Sequence, residues 1–140
     1  MATSTEDLIR RLEDLFVSDD QAAAEALVQG LADTDPGAHA LGLAALAAHR
    51  KDADGTTAAA ARAAALLPDD PGPAYYQAVA ELLRDRLAAV PALLRPAAER
   101  TGSPRLWNFL GNTLLGLGRA QEAAAAYQQV LGREPANVQA

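Results

Sequence analysis

Residues 104–137, PRLWNFLGNTLLGLGRAQEAAAAYQQVLGREPAN, carry the most strongly patterned stretch of this chain, and they read as a complete helix–turn–helix. Trp107, Leu110, Gly111 and Leu114 recur at the i, i+3, i+4, i+7 interval, so they share one face of a first helix. Gly118 lies just past that helix, where a left-handed residue ends it. Ala123 precedes Tyr127 by four positions on a second helix, and Pro135 cannot continue that helix and so fixes its end. Gly111 and Ala123 lack bulk. The two helix backbones can therefore approach closely while Trp107 and Tyr127 fill the space beside them.

These residues resemble the tetratricopeptide repeat, whose signature is W-x2-L-G-x2-Y, then A-x3-F, then P, with a period of about 34 residues. Leu114 stands where that signature has tyrosine, and Tyr127 where it has phenylalanine. The resemblance covers 104–137 closely and 38–103 loosely. It implies an all-α fold, a short right-handed solenoid of antiparallel helix pairs, with approximate units 1–35, 36–70, 71–103 and 104–137. Trp107, Leu110, Gly111, Ala123, Tyr127 and Pro135 are its structural residues. Repeats of this kind bury one continuous core and leave a concave face lined mainly by the first helix of each pair. The function that follows is binding of a partner, without catalysis.

Composition agrees with helices. The chain has 140 residues, enough for one domain with a real core. About a quarter of it is alanine, the strongest helix former. Aromatics make up only 4%, so much of the core must be closely packed alanine and leucine. A net charge of −6 argues against nucleic acid, whose binding needs a basic face. The absence of cysteine excludes disulfides, cysteine-based zinc sites and thiol catalysis, and is in keeping with a cytoplasmic, bacterial-like protein. No signal-peptide-like apolar run opens the sequence, and no segment is long enough to span a membrane.

Outward from the last unit, three further helix pairs are expected. In the first, Thr3 or Ser4 caps a helix whose apolar stripe is Leu8, Ile9, Leu12, Leu15 and Phe16. Ser18-Asp19-Asp20 then makes a turn before a second helix from Gln21 to Ala32. The second pair has Leu43, Ala44 and Ala47 facing Ala60 and Ala63, with a turn over Lys51 to Gly55 and Thr56 or Thr57 as cap. The third has Tyr75, Ala78, Val79 and Leu82 on one face, with Ala89 and Leu93 spaced like Ala123 and Tyr127. Pro91 suits the first turn of a helix, whereas Pro96 lies inside one and predicts a bend or a break.

Little in the sequence points to chemistry. His39 and His49 are ten residues apart, on different faces of a helix, with no cysteine or paired carboxylate to join them. Asp52-Ala53-Asp54-Gly55-Thr56 begins like a calcium loop. Its glycine comes fourth rather than sixth, however, and its twelfth residue is Ala63 rather than glutamate, so it reads as a turn and a helix cap. No phosphate-binding glycine loop, nucleophile elbow or zinc-binding helix motif is present. No catalytic residue, metal ligand or cofactor is expected.

The concave face is expected to be lined by Leu41, Ala45 and His49, by Tyr76, Ala80 and Leu83, and by Asn108, Asn112 and Leu115. Partner binding is assigned to Tyr76, Leu83, Arg84, Arg105, Asn108, Asn112 and Leu115, with Tyr76 and the two asparagines as anchors. Some members of the resembled family clamp C-terminal carboxylates with lysines and asparagines. Asn108 and Asn112 could take the asparagine places, but the lysines are missing, which favours a less polar peptide or helix. The expected partner is a protein or peptide, not nucleic acid or membrane. Two alternatives follow from the lack of a polar cap after Asn137. The chain is the N-terminal accessory part of a larger enzyme, a transferase or hydroxylase, or it associates with a second copy through that end.

Overall fold

A computed structural model of the chain describes residues 5–133, and among these the protein is entirely helical. Eight α-helices follow one another: α1 (Thr5–Val17), α2 (Gln21–Gln29), α3 (Pro36–His49), α4 (Ala53–Leu66), α5 (Gly72–Leu83), α6 (Val90–Thr101), α7 (Pro104–Gly116) and α8 (Ala120–Arg133). A single 3-10 turn, Leu87–Ala89, leads into α6. The expected cap at Thr3 or Ser4 and the closing Pro135 lie outside the described residues.

Every second turn is built the same way. Asp19, Lys51, Asp85 and Gly118 all have φ between 57° and 77° and recur at intervals of about 33 residues. In each turn the following residue donates its N–H back across the left-handed position to the helix just ended. Asp20 bonds the Leu15 carbonyl, Asp52 that of Ala47, Arg86 that of Glu81, and Arg119 that of Leu114, at 2.8–2.9 Å. This bond satisfies a helix-terminal carbonyl and reverses the chain. Only Gly118 takes the left-handed conformation at no steric cost, while aspartate tolerates it better than most residues.

The helix starts are capped with equal regularity. Asp20, Asp35, Asp52 and Ser103 each accept a hydrogen bond from a backbone N–H in the first turn of α2, α3, α4 and α7 respectively. Asp70 accepts from Gly72 N–H at the start of α5, and its second oxygen takes the Thr5 hydroxyl at 2.6 Å, tying α1 to the α4–α5 turn.

Several local expectations need correction. Helix α2 ends at Gln29, three residues early, because Gly30 follows and turns occupy 30–34. The cap of α4 is Asp52 rather than Thr56 or Thr57. Its carboxylate reaches Gly55 N–H, and the Thr56 hydroxyl instead donates to the Asp52 carbonyl within the first turn. Helix α6 runs through Pro96 without a break, with Pro91 in its first turn. Its buried residues include Val90 and Leu94, each one position beyond the expected Ala89 and Leu93. The 3-10 turn takes up the chain before α6 and moves its start, so Ala89 is exposed.

Packing divides into two cores. The first gathers Leu8, Ile9 and Leu12 of α1, Val28 of α2, Leu41 and Ala44 of α3, Ala60 and Ala63 of α4, and Tyr76 of α5. The second gathers Ala78 of α5, Val90 and Leu94 of α6, Leu106, Trp107, Leu110 and Leu114 of α7, and Ala123 and Val130 of α8. Each fully buried leucine contributes about 1.5–3 kcal/mol. Helix α5 stands between the two cores and supplies side chains to both, and Tyr75 packs against each of them.

Two glycines mark where helices come closest. A Cβ at Gly111 would lie 2.6 Å from the Tyr127 ring, which accounts for the pairing of a glycine and an aromatic across α7 and α8. A Cβ at Gly42 would lie 2.7 Å from a methyl of Val28, itself fully buried between α2 and α3. Val28 is β-branched and has little rotamer freedom with which to yield. Gly42→Ala is therefore expected to destabilise the fold by about 1–3 kcal/mol. Gly132→Ala, on open surface near the end of α8, should be neutral or stabilising by at most ~1 kcal/mol. Chemical denaturation of the two variants beside the wild type checks both.

Candidate functional site: a cavity between α1, α5 and α7

A cavity of about 720 Å³ lies between α1, α5 and α7. Glu6 and Arg10 of α1 form one wall, and Tyr75 and Leu82 of α5 the floor, with Leu87 beside it. Pro104, Arg105, Asn108, Phe109, Asn112 and Thr113 of α7 form the opposite wall. The α7 residues recur at three- and four-residue steps, which puts them on one face of that helix.

Of the residues expected to bind a partner, Arg105, Asn108 and Asn112 line this cavity. Both asparagines are exposed and lie one turn apart. Asn112 Oδ1 also accepts a hydrogen bond from the Tyr127 hydroxyl, which holds that side chain in place from α8. Thr113 turns its hydroxyl to the Phe109 carbonyl, so it offers the cavity little polarity.

The other expected residues are elsewhere. Tyr76 is 5% exposed and belongs to the first core, as do Leu41 and Ala45, and Ala80 is buried as well. The two adjacent tyrosines project about 100° apart on α5. Because that helix is wedged between two cores, Tyr76 turns inward and Tyr75 reaches the cavity. For the same reason Leu82 rather than Leu83 faces it. Arg84 is committed away from the cavity, donating to the Asp54 carboxylate and the Thr57 hydroxyl at 2.8 Å on α4. His49 stacks on Phe16, ring centroids 4.1 Å apart, and caps the end of α1 rather than lining a groove. Leu115 is 52% exposed but outside the cavity.

The polar centre of the site is Arg105. Its guanidinium grips Glu6 with bonds of 2.7–3.2 Å and Glu13 with bonds of 3.0 and 3.3 Å, both on α1. It also stands 5.1 Å over the Tyr75 ring, an arrangement favourable to a cation on an aromatic face. Tyr75 in turn meets Phe109 edge-on at 5.4 Å and Tyr76 edge-on at 4.9 Å. The bonds to Glu6 hold the Arg105 guanidinium more firmly protonated than usual, against the opposing effect of its partial burial. On the rim, Arg10 pairs with Asp7 at 3.6 Å and more distantly with Glu6. Sequence reasoning had no access to the Arg105 clasp. Its partners lie more than ninety residues away, and no local spacing announces them.

The lining sets side-chain amides beside apolar and aromatic surface. Asn108 and Asn112 each carry both a donor and an acceptor. The walls beside them are the apolar faces of Leu82, Leu87, Tyr75 and Phe109. Among the described residues, no group of three or more histidines or acidic residues is placed to hold a metal ion. No helix there is long and apolar enough to cross a membrane. No protein-family model matches the chain, and no curated protein matches it either.

Burial raises the ionisation of Tyr75 and Tyr76 above the ordinary tyrosine value of 10.0, with the Glu13 charge adding to the effect in both. Each therefore favours the fold below pH about 10, where folded and unfolded chains alike hold the proton. Above that, the unfolded chain releases protons first and stability is lost as pH rises. Absorbance at 295 nm should show Tyr76 ionising only with the loss of helical circular dichroism. Tyr76→Phe should delay that alkaline unfolding.

Proposed function

We propose that this protein is a non-catalytic binding module, a short right-handed solenoid of four helix pairs of the tetratricopeptide kind. It holds a segment of a partner protein in the cavity between α1, α5 and α7. The repeated turn at about 33-residue intervals supports the repeat reading, as does the Gly111–Tyr127 contact within the unit that resembles the family most. The observation that carries the functional reading is the exposed Asn108/Asn112 pair facing an apolar wall. Side-chain amides one turn apart match the alternating donors and acceptors of a peptide backbone, while Leu82, Leu87, Tyr75 and Phe109 accept apolar side chains.

The electrostatics narrow the ligand. Arg105 is already saturated by two carboxylates, and Arg10 is shared between Asp7 and Glu6. A C-terminal carboxylate or an acidic tail would find no uncommitted cation here, and the protein's net negative charge opposes its approach. The ligand that fits is an apolar segment with uncharged polar groups. A second reading, association between copies, is favoured by Leu115 and Leu131, which expose apolar surface on the last helix pair. A mass that stays monomeric at high concentration would remove it.

The test is selection of peptides from a random library, followed by calorimetry on the enriched sequences. Asn108→Ala/Asn112→Ala should lose about 1–3 kcal/mol, two hydrogen bonds' worth, or roughly 5–150-fold in affinity. Arg62→Ala, on the exposed face of α4, should leave binding unchanged. Failure to enrich any sequence, or binding indifferent to the asparagines, would overturn the reading.

A further inference from the structure

We propose that the molecule is a two-bodied device hinged at α5, and that the Arg105–Glu6/Glu13 clasp is the latch holding its cavity closed. The inference concerns the chain's own motion and does not depend on what fills the cavity.

Three independent observations carry it. The buried apolar residues form two separate clusters, and the boundary between them runs through α5, with Tyr76 in one and Ala78 in the other. The joint between the bodies is thin. On the second body's side, α5 contributes the small side chains Ala74 and Ala78, together with the shared ring of Tyr75. Finally, α7 makes no extensive backbone approach to α1 or α5 and packs chiefly on α6 and α8. What spans the cavity from α7 to α1 is Arg105, half-buried, with its bonds to Glu6 and Glu13. Closed packed bodies joined by a narrow interface move as units, with the change absorbed at the joint.

The latch is well suited to release. Glu6 and Glu13 are each more than two-fifths exposed, so water and salt reach both carboxylates and can replace the guanidinium. When they do, Arg105 keeps its place over Tyr75 while α1 and α7 separate. The cavity between them then widens. Little core is exposed by this, because only Tyr75, at the joint itself, packs against both bodies.

The chain contains no cysteine, so spin labels can be placed at will. Arg11→Cys on α1 and Gln121→Cys on α8 are exposed positions outside the clasp. The distance between them is read by double electron–electron resonance in the full chain. In Glu6→Gln/Glu13→Gln the distribution should move to longer distances and broaden, with helical circular dichroism unchanged. Arg105→Met should do the same. Exchanging the charges, with Arg105→Glu beside Glu6→Arg and Glu13→Arg, should restore the short, narrow distribution. An unchanged distribution in folded latch variants would overturn the proposal. So would loss of helical structure in both Arg105→Met and Glu6→Gln/Glu13→Gln, since the contact would then be a condition of folding and not a latch.

Discussion

The groove side of this molecule depends on one constraint: α5, twelve residues long, must serve two cores at once. A helix that faces a single core needs one apolar stripe, whereas one set between two cores needs nearly its whole circumference. Tyr76 and Val79 answer the core built by α1 to α4. Ala74 and Ala78 answer the core built by α6 to α8, and Tyr75 touches both. The use of alanine on the second side lets α6 pack close, and α7, carried on α6, places the Arg105 guanidinium above Tyr75 and within reach of α1. Replacing those alanines by larger residues would move α6 to α8 outward as a body.

Much of the all-helical fold was legible because helices announce themselves locally. The caps are aspartates and a serine, the stripes repeat at helical spacing, and Gly111 with Tyr127 fixes how α7 meets α8. What was not legible followed from two kinds of ambiguity. The alanine-rich helices α3 and α4 give no amphipathic contrast, so the choice of Leu43 over Leu41 as the inward residue had no support from pattern. Leu41 is in fact wholly buried, Leu43 only partly. The turns were harder still. Aspartate and lysine at a left-handed position do not read as glycine would, so the regular series Asp19, Lys51, Asp85, Gly118 is visible only once the backbone is seen.

The site divides in the same way. Asn108 and Asn112 stood out because a polar pair one turn apart, beside a buried tryptophan, has to face water. Tyr76 misled because adjacent tyrosines on a helix differ only in direction, and direction was set by the second core. Arg84 and Arg105 looked alike in sequence. One is spent on the neighbouring helix α4 and the other reaches across the molecule to α1. That difference arises from the path of all eight helices and from nothing within a few residues of either arginine.

The clasp has a further consequence for how the chain reaches this structure. Most packing is between helices adjacent in sequence, which makes assembly local and fast. The bonds of Arg105 to Glu6 and Glu13 close loops of more than ninety residues, a separation whose closure entropy favours their forming late. An interaction made that late is absent from the rate-limiting barrier, so it leaves the folding rate nearly untouched and acts on the unfolding rate instead. In this small protein one arginine thus bears on how long the two cores stay closed against each other, not on how quickly each is made.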